Sequence, residues 1–113
     1  MSVLHSTVGT LPYMSPQILG FSGYSYKCDI WSFGVICYEL VFDDLPWKFK
    51  AKMSPHELQQ LIQKTVEAGI EFPEGTKISD HYKDMIIGCL KYEEEDRYDW
   101  TQIIYHPLFE GKF

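Results

Sequence analysis

Apolar residues run almost without interruption from about Lys27 to Phe42, taking in Ile30, Trp31, Phe33, Val35, Ile36, Cys37, Tyr38, Leu40, Val41 and Phe42. A run this long predicts a helix, because buried strands end after roughly 4–8 residues. Apolar side chains on nearly every side predict that the rest of the protein encloses it. A second segment has a narrower pattern. Leu58, Leu61, Ile62 and Val66 recur on one helical face, behind Ser54-Pro55-His56-Glu57, a capping box with proline at the first helical position. This helix is expected to be amphipathic and to stop at Gly69.

Three shorter elements follow from the same reading. Ser15-Pro16 starts a helix that reaches about Leu19 before the glycine-containing loop from Gly20 to Tyr24. Ser79 opens a helix with Tyr82, Met85, Ile86, Cys89 and Leu90 on one face, and Asp99 with Gln102 starts a last short one that ends near His106-Pro107. Asp43-Asp44-Leu45-Pro46-Trp47 breaks the long helix. The expected fold class is mostly α, with four or five helices. Ile70-Glu71-Phe72 is the one stretch where a two-stranded element could hide, and the pattern does not favour it.

Composition narrows the function. The chain has 113 residues, which make at most one domain, and an apolar fraction of 45% is that of a globular protein. The net charge is −6, and Lys48, Lys50 and Lys52 are the densest basic cluster, so nucleic acid is not an expected partner. Glu93-Glu94-Glu95-Asp96 reads as solvated surface. No run approaches the length of a membrane span, and Val35 to Phe42 contains Glu39. Cys28, Cys37 and Cys89 are odd in number and set among apolar residues, so they read as reduced core thiols of a cytoplasmic or nuclear protein. No metal site is expected, since no Cys-x-x-Cys pair accompanies the histidines.

Motifs at fixed distances add a resemblance. Gly9-Thr10-Leu11-Pro12-Tyr13-Met14-Ser15-Pro16-Gln17, then Asp29-Ile30-Trp31-Ser32-Phe33-Gly34, Leu45-Pro46-Trp47, Glu95-Asp96-Arg97 and His106-Pro107-Leu108-Phe109 resemble, in this order, the back half of a eukaryotic protein kinase domain of the serine/threonine type. The likeness covers about Ser6 to Phe109. Met14 to Leu19, the Leu-Pro-Trp turn and Asp-Arg-x-x-Trp give it the flavour of the autophagy-initiating kinases. The resemblance implies that residues 1–113 are a partial kinase domain, from the end of the activation segment through the final helices. The fold implied is the helical subdomain of the large lobe, the C-lobe, of an α+β parent.

The family likeness gives individual residues a role. Thr10 matches the threonine that hydrogen-bonds the catalytic machinery beside the substrate hydroxyl, where positioning is most of the chemistry; as a bare sequence feature it is a turn-stabilising threonine after Gly9. Leu11, Pro12 and Tyr13 match the loop that holds the substrate residue just after the phosphorylated one, and Tyr13 reads equally as a core anchor. Ser6, with Thr7 beside it, matches the position of the activating phosphate; read alone it is a polar loop residue. Gln17 stands where the family has a glutamate paired with the arginine matched by Arg97. That pairing leaves the guanidinium without a carboxylate, so Arg97 is expected to be less buried or to find a second acceptor. Asp29 reads as a buried carboxylate that in the family holds the catalytic loop, or as a first-turn residue serving the helix dipole. Trp31, Gly34 and Trp100 read as packing, and His106 as a helix-end cap.

Other family motifs are missing from these residues. The chain has no Gly-x-Gly-x-x-Gly, no Val-Ala-x-Lys, no His-Arg-Asp, no Asp-Phe-Gly and no asparagine. ATP and Mg²⁺, implied for a full-length parent, are therefore not expected to bind this chain, and no catalytic residue beyond the supporting Thr10 is expected. The expected partners are a protein substrate and the missing N-terminal part of the kinase domain. Without that part, Trp31 and its neighbours would face water, which favours a longer parent or a truncated gene product. The alternative is a non-catalytic, pseudokinase-like interaction module that binds a partner through the helix from Ser54 to Val66.

Overall fold

The computed structural model describes residues 11–75 and 77–109. Five α-helices form: α1 (Pro16–Leu19), α2 (Tyr26–Phe42), α3 (Pro55–Ala68), α4 (Asp80–Cys89) and α5 (Trp100–Ile104). Of three single 3₁₀ turns, Leu11–Tyr13 precedes the helices, Glu94–Asp96 joins α4 to α5 and Pro107–Phe109 follows α5, and no strand occurs among the described residues, including Ile70–Phe72.

The caps fall where side-chain chemistry puts them. Ser15 Oγ accepts the Ile18 N–H at 3.3 Å and Pro16 takes the first helical position. Ser54 and Glu57 close a reciprocal capping box at 3.1 and 3.0 Å, and Asp99 and Gln102 close another at 2.8 and 2.9 Å. Ser79 caps α4 and Ser25 caps α2. Helix α2 ends at Asp43 in the left-handed region (φ 53°), which aspartate tolerates better than most residues.

Helix α2 is the axis of the fold. Its longest contact is with α4, while α1 lies on α3 and the Leu11–Tyr13 turn lies on α2. Gly34 lets α2 and α4 approach: a Cβ there would lie 2.6 Å from the Cβ of Cys89 and 3.1 Å from Leu90. Ile30, Trp31 and Val35 have no exposed surface, and Leu58, Ile62 and Ile86 join them in the core. Two further ties add to this: Tyr82 of α4 donates to the Cys37 carbonyl of α2 at 2.7 Å, and Tyr38 of α2 to the loop carbonyl of Glu71 at 2.8 Å.

The enclosure of α2 is incomplete, which corrects the expectation from its composition. Trp31 is fully buried, so it does not face water, but Ile36 is 45% and Leu40 77% exposed. Asp29 is also exposed, with its carboxylate accepting, among the described residues, the Tyr24 hydroxyl, so the expected burial of this group is not found. The reason is geometric. Asp29, Phe33, Ile36 and Leu40 share one stripe of the helix, and the other elements pack against the remaining faces. Only Phe33 on this stripe gains cover, from the edge of Trp100 at 5.8 Å, and Trp100 itself stays 40% exposed. No helix among the described residues is long and apolar enough to cross a membrane.

Candidate functional site

The Leu11–Tyr13 turn is fixed from three directions. Trp47 Nε1 donates to the Pro12 carbonyl at 3.3 Å, Ser32 Oγ donates to the Tyr13 carbonyl at 2.7 Å, and the Tyr13 hydroxyl donates to Glu39 Oε1 at 2.6 Å. The Glu39 carboxylate raises the Tyr13 pKa through that hydrogen bond. Leu11 and Pro12 are buried, and Tyr13 is half-buried against the core. The side chain of Tyr13 therefore acts as an anchor, while its backbone stays on the turn. Glu39 is the one charged residue in an apolar stretch, and that irregularity was its only visible signal. Ser32 and Trp47 stood only inside the motifs of the family resemblance, with no sign that they would hold this turn.

Behind the turn lies a stack that reaches the other end of the fold. Trp47, 2% exposed, stacks on Trp31 at 5.4 Å between centroids and 19° between planes. The opposite neighbour is the Arg97 guanidinium, 5.0 Å from the Trp31 centroid. Trp31 Nε1 is buried without an acceptor, the single side-chain nitrogen or oxygen in that state among the described residues.

Arg97 is 1% exposed and has no carboxylate partner among the described residues. It finds oxygen dipoles instead. Nε donates to the Lys91 carbonyl at 2.9 Å, Nη1 to the Lys27 carbonyl at 2.8 Å, and Nη2 to Gln17 Oε1 and the Tyr92 carbonyl, both at 2.9 Å. Gln17 Nε2 also donates to the Tyr92 carbonyl at 2.8 Å. The expected second acceptor is thus present, and full burial is retained. Desolvation lowers the guanidinium pKa from its ordinary value, partly opposed by the Glu94 charge. Glu94 belongs to the acidic run, yet its Oε2 accepts the Ser25 hydroxyl at 2.6 Å, so this run is not purely solvated surface.

A smaller polar cluster fixes the C-terminal side. Asp84 Oδ2 accepts Tyr98 Oη at 2.6 Å and lies 2.7 Å from His106 Nε2, while His106 Nδ1 accepts the Leu108 N–H at 3.0 Å. His106 thus caps the start of the Pro107–Phe109 turn, whereas the end of α5 is closed by Tyr105, not by the expected His106. The three thiols are free and buried, and burial pushes Cys89 up to about 12. Among the described residues no group of three or more histidine, cysteine, aspartate or glutamate side chains could hold a metal ion. Ser6, Thr7, Gly9 and Thr10 lie outside the described residues.

The profile of the "Protein kinase domain" matches residues 1–109. The chain belongs to the protein kinase family. It is 32% identical over 110 residues to the serine/threonine-protein kinase RHS3 of Arabidopsis thaliana, covering 94% of this chain and 21% of that protein. It is 34% identical over 109 residues to the serine/threonine-protein kinase CBK1 of Eremothecium gossypii, covering 95% of this chain and 15% of the other. Calcium-dependent protein kinase 5 of Plasmodium falciparum is likewise 34% identical over 109 residues, with 95% and 18% covered. This kinase chain therefore spans about a fifth or less of the length of the curated relatives it matches. None of these names speaks to the narrower likeness to autophagy-initiating kinases. Several motifs of the family likeness meet here: Trp47 stacks on Trp31, the Arg97 guanidinium lies by the Trp31 ring, and Trp47 holds the Leu11–Tyr13 turn through Pro12, while His106 belongs to the separate Asp84 cluster.

Proposed function

We propose that this chain is the large-lobe portion of a serine/threonine protein kinase domain, residues 1–113 running from the end of the activation segment through the final helices. Its task is to hold a protein substrate on a rigid turn while residues outside this chain transfer the ATP γ-phosphate. The observation that carries the reading is the fixation of Leu11–Tyr13 by Trp47, Ser32 and Glu39. A turn held at its backbone from a buried helix can position a peptide without itself reacting, and positioning supplies much of phosphoryl transfer.

On this reading Gly9 and Thr10 extend the same ledge, with Thr10 beside the substrate hydroxyl, and Ser6 or Thr7 takes the activating phosphate. The exposed stripe of Asp29, Ile36 and Leu40 is the seat of the N-terminal kinase segments, with the exposed Asp29 carboxylate accepting their backbone N–H groups beside the Tyr24 hydroxyl it already accepts. The family uses ATP and Mg²⁺, and this reading assigns both to residues outside this chain, with no step routed through them here. Three buried free thiols suit a reducing compartment, the cytoplasm or nucleus.

The transcript upstream of Met1 tests the reading. An open frame with Asp-Phe-Gly and His-Arg-Asp is expected, whereas a stop codon directly upstream favours the interaction module. Calorimetry of the chain with ATP and Mg²⁺ should give no heat of binding; measurable affinity overturns the assignment of chemistry to other residues.

A further inference from the structure

His106 holds two hydrogen bonds of opposite kind. Its Nδ1 accepts the Leu108 N–H at 3.0 Å, and its Nε2 lies 2.7 Å from Asp84 Oδ2. A backbone N–H can only donate, so Nδ1 carries no proton in this arrangement. The ring proton is then on Nε2, which donates it to the carboxylate. The geometry therefore selects one tautomer of the neutral imidazole. The His106 side chain is only 5% exposed, so water cannot replace a lost partner unless the chain moves.

The surroundings fix both partners. Tyr98 Oη donates to the same Asp84 oxygen at 2.6 Å, and the Tyr98 N–H bonds the Gly88 carbonyl of α4 at 2.9 Å. The Tyr98 ring needs the bare glycine, since a Cβ on Gly88 would lie 2.1 Å from it. From α4 the ionisable groups facing the imidazole are Asp84, in contact, and His81, with ring centroids 6.1 Å apart; from the segment before α5 it is Tyr98, at 5.9 Å. Helix α5 and the Pro107–Phe109 turn bring no ionisable side chain, and Tyr105 between them is 81% exposed. The turn closes over an apolar cluster: Leu108 and Phe109 pack against Ile30, Met85, Cys89 and Ile103.

We propose that His106 is a proton-sensitive latch on the Pro107–Phe109 turn, closed on the neutral imidazole and loosened by acid. A proton taken from solvent by the Nδ1 lone pair turns that atom from acceptor into donor, while the Nε2–H stays on Asp84. Two N–H groups then face each other, and the Leu108 N–H loses its acceptor. The closed turn requires a bare Nδ1, so falling pH favours every form in which Leu108 has let go. Asp84 attracts the imidazolium through Nε2 in closed and loosened forms alike, so it does not restore the Leu108 bond. Among side chains, imidazole is the one suited to such a switch near neutral pH. The latch is separate from the Leu11–Tyr13 turn and does not depend on phosphate transfer.

The test is NMR of the ¹⁵N-labelled full chain between about pH 8 and 5. At the alkaline end the imidazole signals should show the proton on Nε2. On acidification the protection of the Leu108 amide from hydrogen exchange, corrected for the intrinsic effect of pH, should fall several-fold. The Met14 amide, bonded to the Leu11 carbonyl, should keep its protection and so exclude global unfolding. His106→Asn offers an oxygen to the Leu108 N–H that does not titrate, and should hold that protection constant. His81→Gln removes the neighbouring imidazole and should leave the response in place. A proton on Nδ1 at pH 8, Leu108 protection independent of pH, or equal losses at Leu108 and Met14 would overturn the proposal. So would a response that survives His106→Asn or disappears in His81→Gln. The first three readings need no variant, so a misfolded substitution does not shield the idea.

Discussion

Lys27 and Arg97 hold each other's backbone. The Lys27 ammonium donates to the Arg97 carbonyl, and the Arg97 guanidinium donates to the Lys27 carbonyl at 2.8 Å. Lys27 Nζ also donates to the Glu94 carbonyl at 3.1 Å. Two cations thus sit side by side, each solvated by the peptide dipoles of the other's segment. Arg97→Lys should cost about 3 kcal/mol, because a single ammonium cannot reach acceptors on Lys91, Lys27, Tyr92 and Gln17 together. Lys27→Met, at a half-buried site, should cost roughly 1–2 kcal/mol. Urea unfolding checks both, and equal losses would contradict the central place given to Arg97.

Gln17→Glu changes the balance around the same guanidinium. It supplies the missing countercharge at a buried Arg97, but loses the Gln17 donation to the Tyr92 carbonyl, worth about 1 kcal/mol. The Tyr92 carbonyl keeps its bond from Arg97. The expected result is an unchanged or higher melting temperature. A clear drop would mean that the carbonyl cage already neutralises Arg97 as well as a carboxylate could.

Tyr13→Phe removes the bond to Glu39 while preserving the ring. The global loss should be about 1 kcal/mol. The local effect should be larger: the Met14 N–H, which bonds the Leu11 carbonyl at 3.1 Å across the turn, should exchange with solvent several-fold faster. Unchanged exchange would show that Trp47 and Ser32 alone fix the turn.

Gly34→Ala inserts a methyl 2.6 Å from the Cβ of Cys89 and 3.1 Å from Leu90, in the packed contact of α2 with α4. Overpacking of this kind should cost roughly 2–3 kcal/mol, visible in the urea midpoint. A neutral result would mean that α2 and α4 can slide apart freely.

Asp84 is held below its ordinary carboxylate value by the hydrogen bonds from Tyr98 and His106, in that order. A carboxylate depressed on folding adds stability above its unfolded value, near 3.8, and loses it as pH falls through the lower folded value. Asp84→Asn should therefore cost about 1 kcal/mol at pH 7, a small figure because the carboxylate is half exposed and screened. The gap to the parent chain should close in acid. A gap that persists at pH 2 would assign the effect to packing.

The helices and their starts were legible in the sequence. Ser15, Ser54, Ser79 and Asp99 each cap within four residues of themselves, so local order suffices to place them. The spacing of Leu58, Leu61, Ile62 and Val66 likewise fixes which face of α3 turns inward. Local pattern could not say which sides of α2 would be covered, because Ile30 and Leu40 are both apolar and only their neighbours in space distinguish a buried position from one that is 77% exposed. The same holds for Arg97, whose acceptors include Lys27 and Gln17, far away along the chain. Short-range hydrogen bonding and periodicity are written in neighbouring residues, whereas burial and charge compensation are decided only when distant segments meet.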